Sequence, residues 1–174
     1  MIDFTNIEYL KSGNVRQQKA YIQLEKLRIF EKLKNYNPIL TGTIPIGIDL
    51  PNSDLDIICE CYEHVKFYEL VSESFANEKN FEISSKNWNG VKSTIAKFQS
   101  DRFEIEIFGQ PIPTEQQNAY KHMILEYKIL TKMGSTFKAQ IKKLKKEGLK
   151  TEPAFAKLLG LSGNPYEELL LIEI

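Results

Sequence analysis

The chain has 174 residues, and 42% of them are hydrophobic, so it is long enough to bury a sizeable core within one domain. It carries 23 basic and 23 acidic residues, and this balance argues against a general binder of long nucleic acids, which usually has a basic surplus. The first residues lack the basic start and apolar block of a secretory signal, so we expect none there, and no apolar run approaches the roughly 20 residues that cross a bilayer. Cys59 and Cys61 give no disulfide framework, which is typical of the cytoplasm.

Helical and strand patterns follow one another in a clear order. Strands cluster in the first two thirds of the chain and helices close it, which predicts an α+β or mixed α/β fold with a helical C-terminal part. In chain order, the predicted elements are a helix at 14–36, strands at 38–43 and 54–62, a helix at 63–77, strands at 81–86, 91–100 and 102–109, and helices from 115 onward.

Turn residues divide these elements. The Asn89-Gly90 pair predicts a hairpin between two strands, and Gly134 is expected to break the long helix that begins near residue 115. Three shorter helices are expected after that break. We therefore expect a single domain over 1–174, with a core at about 14–132 and a helical C-terminal part at about 133–174.

Acidic residues occupy one face of two predicted strands. Asp54 and Asp56 alternate with apolar residues on the second strand, and Glu104 and Glu106 do the same on the last one. Alternation of this kind is also ordinary on the wet face of an edge strand. Carboxylates in buried positions, however, are costly unless they are paired or bind a cation. Hard cations such as Mg²⁺ prefer oxygen ligands, so we predict a metal site formed by both aspartates and one glutamate.

A glycine turn precedes the aspartates. Gly42-Thr43 ends the first predicted strand, and a loop rich in Pro, Gly, Asn and Ser follows over residues 44–53. Glycine lets a phosphate come close to the backbone, and the amides and the Thr43 hydroxyl can donate hydrogen bonds to it. Together, the turn and the carboxylates are typical of phosphoryl-group chemistry, in which two metal ions bridge paired carboxylates.

These motifs resemble the nucleotidyltransferase superfamily. The pattern stands here as Leu40-Thr41-Gly42-Thr43, Asp54-Leu55-Asp56-Ile57 and Ile105-Glu106-Ile107. The blocks GTIPIGIDLPNSDLDI, EIFGQPIPTEQQNAYKHM and TEPAFAKLLGL are similar to an uncharacterised bacterial branch of that superfamily over nearly the full length, and the GTIP and IDLP pieces also resemble the GrpB-like group.

The resemblance implies a twisted mixed sheet flanked by helices, and roles for particular residues. Asp54 and Asp56 would bind two Mg²⁺ ions, and Glu106 would be the third carboxylate, with Glu104 as the alternative. The residues that would bind the nucleotide are Gly42, Thr43 and Ser53. Thr43 stands where the superfamily usually has a serine. The third acid is a glutamate, Glu106, and Glu104 is a second candidate on the same strand.

The polar residues at the start of the long helix have two interpretations. Gln117, Asn118, Lys121 and His122 could line the pocket and touch a base, ribose or acceptor, or they could simply face water at a helix N-terminus. Asn118 and His122 share a face at the spacing of four residues.

Lysines outside the acidic motifs also allow two interpretations. The run from 138 to 150 could contact a polynucleotide, but we favour a solvated helix face with Phe137, Ile141 and Leu144 turned inward. Lys86, Lys92 and Arg102 lie closer in sequence to the strands and could meet a triphosphate.

Two functions follow from these patterns. The first is a magnesium-dependent nucleotidyltransferase that moves a nucleoside monophosphate from an NTP to a hydroxyl acceptor; we favour a small molecule and expect no membrane partner. The alternative is a noncatalytic member that binds a nucleotide or a protein. The sequence chooses neither the nucleotide nor the oligomeric state.

Overall fold

The computed structural model describes residues 2–88 and 90–173. Its elements follow the predicted order and confirm a mixed α+β fold, with 3₁₀ turns at Glu8–Ser12, Lys34–Tyr36 and Thr114–Gln116. The helices are α1 (Val15–Leu27), α2 (Ile29–Lys32), α3 (His64–Phe75), α4 (Asn118–Lys146), α5 (Thr151–Leu159) and α6 (Pro165–Leu170); the strands are β1 (Ile39–Thr41), β2 (Leu55–Glu60), β3 (Lys79–Trp88), β4 (Val91–Ser100) and β5 (Phe103–Gln110).

The five strands form one mixed sheet in the order β1-β2-β5-β4-β3. β2 and β5 run parallel at its centre, while the β1–β2, β5–β4 and β4–β3 pairs are antiparallel. The parallel pair is possible because α3 and the β3–β4 hairpin supply a long crossover between the two strands. Asn89 of the predicted hairpin turn lies outside the described residues, but the strands that flank it do pair antiparallel.

Two helix interruptions shape the layers around the sheet. The predicted first helix is broken at Arg28, whose left-handed backbone (φ 53°) ends α1, so the prediction of one helix over 14–36 was wrong there. In α4 the predicted break is confirmed: Gly134 has a φ of 77°, and the helix resumes after it and continues to Lys146. Glycine adopts this conformation without a side-chain penalty.

The core lies on one face of the sheet. Leu55, Ile57 and Ile105 point into a buried cluster that α1, α2 and α3 cover, as the alternation of β2 and β5 predicts. Both cysteines are buried there as free thiols. The face that carries the acidic residues is therefore turned the other way.

A second buried cluster joins the C-terminal helices to the loop between β1 and β2. Ile46 and Ile48 of that loop pack with Met123, Phe137 and Phe155. Phe137, Ile141 and Leu144 are buried, which confirms the predicted inward face of α4 after its break. No helix in the described part of the chain is both long enough and apolar enough to span a membrane.

Candidate functional site

Strand register brings the predicted carboxylates together. Asp56 lies between Thr41 of β1 and Glu106 of β5, because it is the partner of both in the sheet. Asp54 stands two residues before it, immediately before β2 begins at Leu55. A cavity of about 810 Å³ opens over this part of the sheet. Its lining includes the predicted site residues Gly42, Thr43, Ser53, Asp54, Asp56 and Glu106.

The two candidate glutamates on β5 have different surroundings. Glu106 is partly buried, lines the cavity and sits beside Asp56, whereas Glu104 is exposed and accepts a hydrogen bond of 3.0 Å from Gln99 Nε2. Glu106 forms an ion pair with Lys97, with Nζ and Oε2 2.5 Å apart. Of the pair, Glu106 is therefore the one positioned to share a ligand with the aspartates.

Asp56 occupies an environment that disfavours an uncompensated negative charge. Burial is the main reason that its pKa rises from 3.8 to about 8, and the nearby carboxylates of Asp54 and Glu106 add to the increase. Lys97 opposes it. A group of this kind favours a cation as its partner, and the donor set consists of oxygen atoms, which suits Mg²⁺.

The glycine turn touches the same carboxylate. Gly42 has a φ of +83°, and a Cβ atom there would lie 2.5 Å from Asp56 Oδ2, so both the backbone and the space require glycine. Thr43 Oγ1 donates to Ser53 Oγ at 3.2 Å, and the Leu50 amide donates to the same oxygen at 2.9 Å. The hydroxyl of Ser53 thus links the start and the end of the loop at the cavity wall.

Side chains from two helices fix the rest of that loop. Gln17 Nε2 of α1 donates to the carbonyls of Ile44 and Pro45 at 3.0 and 2.9 Å. From α4, Lys138 Nζ donates to the Ile46 carbonyl at 3.0 Å, and Lys145 Nζ donates to the Ile48 carbonyl at 2.9 Å. Buried backbone carbonyls need such partners, so this loop is held in one conformation.

The lysines and the arginine named from the sequence do not all lie where they were predicted. Lys145 is only 9% exposed, so the prediction of a fully solvated lysine face was wrong at this position. The lysine that meets the carboxylates is Lys97, which the sequence had not singled out. Lys86 lies with Lys97 and Glu106 along an adjoining cleft of about 350 Å³, while Arg102 lines a separate cleft with Arg16.

The start of α4 forms the other wall of the cavity. Gln117, Asn118 and His122 line it, as one of the two interpretations expected, and Lys121 is exposed. Gln117 Nε2 donates to the carbonyls of Cys59 and Ile112, which ties α4 to the end of β2.

Three residues of this helical wall converge. His122 and Glu126 of α4 and Glu152 of α5 place their ligand atoms within 4.8 Å of one another. Among the described residues no second group of three potential metal ligands converges in this way, and Asp54, Asp56 and Glu106 do not form one. The sequence had pointed to His122, and the spacing of four residues to Glu126 was the signal for the second member; Glu152 is brought in by tertiary structure.

Burial dominates the electrostatics of this wall. It raises the pKa of Glu126 well above the ordinary value, an effect to which Glu152 adds and which Lys145 opposes. Burial also lowers the pKa of His122. Both groups are therefore driven toward their neutral forms unless another charge joins them.

Comparison with solved structures identifies the fold. The chain is similar to Cid1, described as having RNA terminal uridylyl transferase activity, with 17% identity and a TM-score of 0.56 over 80% of this chain and 45% of that one. A cytoplasmic RNA terminal U-transferase matches with 17% identity and a TM-score of 0.52 over 74% of this chain and 38% of that one. The structure of the GLD-2/RNP-8 complex matches with 13% identity and a TM-score of 0.54 over 88% and 63%.

These similarities confirm the nucleotidyltransferase-like fold and, at this level of identity, show the fold alone. The chain spans less than two thirds of the length of each of these structures. None of the three is described as GrpB-like, so that part of the resemblance stays a prediction. No curated protein matches the sequence. The family profile described as a domain of unknown function, DUF4269, matches residues 22–172, and the chain therefore belongs to this family.

Proposed function

We propose that this protein is a magnesium-dependent nucleotidyltransferase that moves a nucleoside monophosphate from an NTP to a hydroxyl acceptor. The observation that carries the proposal is the register of β2 and β5, which sets Asp56 beside Glu106 on parallel strands at the wall of an open cavity. Asp54 precedes them, and the Gly42 turn lies directly against Asp56. This combination is what a triphosphate and its metal ions require.

We assign each residue a role according to its position in the cavity. Asp54, Asp56 and Glu106 would hold Mg²⁺, which when bound offsets the charge of the triphosphate and of the departing pyrophosphate. Gly42 leaves room for a phosphate to approach the backbone, and Thr43 and Ser53 offer hydroxyl groups at the same wall. Lys97 must release Glu106 for that carboxylate to bind a metal ion.

The reaction balances with these groups. An acceptor hydroxyl oxygen forms a bond to the α-phosphorus, and the bond from that phosphorus to the oxygen of the β-phosphate breaks. Pyrophosphate would leave with the electron pair, and Glu106, once Lys97 releases it, would accept the hydroxyl proton. Phosphoryl transfer depends mainly on positioning and charge stabilisation, so the rigid loop between β1 and β2 suits the task.

The relatives in structure suggest which substrates to test first. Two neighbours are described as RNA terminal uridylyl or U-transferases, so UTP is the first donor to examine. An RNA end accordingly joins small hydroxyl compounds as a candidate acceptor, although the zero net charge led us to favour the small compounds.

A noncatalytic nucleotide binder is the second candidate, and one observation favours it. Asp54, Asp56 and Glu106 line one cavity but do not form a convergent group of metal ligands among the described residues, and Lys97 already forms an ion pair with Glu106. A protein that binds a nucleotide without transferring it could retain this arrangement.

Thermal unfolding with the four NTPs, in Mg²⁺ and in EDTA, separates these functions. A ligand that binds only the folded state raises the melting temperature by mass action. We expect a Mg²⁺-dependent increase with one NTP in the wild type and in Glu104→Gln, and no increase in the double variant Asp54→Asn/Asp56→Asn.

Release of pyrophosphate, measured with that NTP and a panel of acceptors, then decides whether the bound nucleotide reacts. An NTP that stabilises the protein but yields no pyrophosphate with any acceptor supports the noncatalytic function. A shift that persists in the double variant contradicts the metal site itself.

A further inference from the structure

The helical wall of the cavity carries a second, chemically different group of potential ligands. His122 and Glu126 lie one turn apart on α4, so they share a face, and Glu152 is the second residue of α5. One ligand atom from each lies within 4.8 Å of the others, and no other group of three converges in this way among the described residues. All three residues line the cavity.

The histidine of this group is buried, and one of its ring nitrogens has no hydrogen-bond partner among the described residues. His122 is 7% exposed, and its Nδ1 atom has no hydrogen-bond partner in the described part of the chain. Its ring contacts the Tyr166 ring edge to face, with centroids 6.3 Å apart, and that contact does not satisfy a ring nitrogen. Buried polar atoms are nearly always satisfied in native proteins, so an unpartnered Nδ1 on a histidine beside two carboxylates needs an explanation.

The carboxylates of the group also lack a full countercharge. Glu126 is 4% exposed and faces Glu152. The cation beside them, Lys145, is itself largely buried, and its ammonium group donates to the Ile48 carbonyl. Lys145 alone cannot balance both carboxylates in their ionised forms in this poorly solvated place, and a divalent cation would supply the missing charge.

We propose that His122, Glu126 and Glu152 bind one Zn²⁺ ion. An imidazole nitrogen with two carboxylate oxygens selects a borderline cation over Mg²⁺, which prefers oxygen ligands alone. Zinc sites with three protein ligands leave a fourth position for water or a substrate group, and here that position would be filled from the cavity. Small side-chain movements are needed, because ligand atoms approach Zn²⁺ to about 2.0–2.2 Å.

This site is independent of the carboxylates on the strands. It uses none of Asp54, Asp56 and Glu106, and it can exist whether or not the protein transfers nucleotides. It would give the cavity a second cation of different chemistry on its helical wall, so that an anionic ligand could contact both cation sites.

Titration of metal-stripped full-length protein with Zn²⁺, followed by calorimetry without nucleotide, tests the proposal. We expect one tight site in the wild type and the same site in Asp54→Asn/Asp56→Asn, which separates it from the proposed magnesium site. Affinity is expected to fall by at least about 100-fold in His122→Gln and in Glu152→Gln, since even indirect partners of a metal contribute about 10–100-fold.

The other histidine provides the matched control. His64 is also buried, and its Nε2 likewise has no partner among the described residues, but its Nδ1 is bonded to Thr94 Oγ1 at 2.9 Å and no group of potential metal ligands includes it. His64→Gln should therefore leave the Zn²⁺ affinity unchanged. Glu152 is only partly buried at the start of α5, so Glu152→Gln tests the site with the least disturbance to folding. Absorption of bound Co²⁺ in the visible region gives a second readout that depends on the ligand set.

The results decide the matter in either direction. Loss of binding in the His122 and Glu152 variants, with their melting temperatures in EDTA close to the wild type, supports the site. The proposal is overturned by an absence of tight Zn²⁺ binding, by equal affinity in those variants, or by loss of binding in the Asp54→Asn/Asp56→Asn variant.

Discussion

The two walls of the cavity are built in different ways. On the sheet wall, Asp56 and Glu106 are neighbours because two parallel strands are in register. On the helical wall, His122 and Glu126 meet Glu152 only because α5 packs against the kinked α4. The sheet wall shows that strand alternation fixes which side chains share a face, while the helical wall shows that convergence of helices can create a site that local spacing indicates only in part.

The largest effect should come from removing the central carboxylate of the sheet wall. We expect Asp56→Asn to lower nucleotidyl transfer by at least about 100-fold, because ligand loss should exceed the effect of losing an indirect partner. Its melting temperature in EDTA should equal or exceed that of the wild type, since a repelled, buried carboxylate is removed. Glu104→Gln, on β5 of the same sheet, is the control. Its activity should stay within about twofold of the wild type, as expected of an exposed position. A large loss in Glu104→Gln instead would make that residue the third ligand.

Next in size is the change of the glycine that touches Asp56. Gly42→Ala should cost about 1–3 kcal/mol of stability from its positive φ alone, and it should weaken Mg²⁺-NTP binding as well, because the new methyl group meets Asp56 Oδ2. Gly90→Ala is matched in φ, at +79°, but no described residue has an atom within 4 Å of the added carbon. Urea unfolding and NTP titration should therefore show a binding defect in the Gly42 variant only. Equal binding by both variants would mean that the turn does not serve the site.

The connection between the two walls can be tested through Lys145. Lys145→Met leaves the Ile48 carbonyl without its donor and Glu126 without a nearby cation, so we expect a loss of about 1–3 kcal/mol in the free energy of unfolding. The neighbouring Lys146 is exposed, and Lys146→Met should change this free energy by less than about 0.5 kcal/mol. Urea unfolding measures both. If the two variants are equally stable, the buried ammonium is not what fixes the loop.

The smallest effect concerns the ion pair on the sheet wall. Lys97 is half exposed, so Lys97→Met should change stability by less than about 1 kcal/mol. It should raise the affinity for Mg²⁺ without nucleotide, because the lysine competes with the metal for Glu106. Lys92→Met on the same strand is the control and should leave Mg²⁺ affinity unaltered. Calorimetric titration of both variants checks this, and a lower affinity in the Lys97 variant would contradict competition.

The sequence predicts the sheet wall well for a physical reason. Alternation places Leu55 and Ile57 in the core and Asp54 and Asp56 on the other face, because the period of a strand is two residues. The identity of the buried lysine was not predictable, because the helical pattern marks all of the lysines in α4 as solvated. Lys145 is buried because the kink at Gly134 aims the second half of α4 at the loop, and the direction of a kink is set by packing rather than by local sequence.

The hydrogen bonds from α4 to the loop between β1 and β2 also affect the order in which parts of the protein can fold. Lys138 and Lys145 reach loop carbonyls across 92 and 97 residues of chain, so these contacts have a very large sequence separation. Contacts of that kind form late in folding, since the entropy of closing a long loop opposes them first. During synthesis, β1 and β2 emerge well before α4. The loop between them, which joins the glycine turn to the aspartates, can therefore form its hydrogen bond with Lys145 only after residue 145 has been made. The candidate site is thus a feature of the completed chain, although nearly all of its sheet wall is encoded before residue 110.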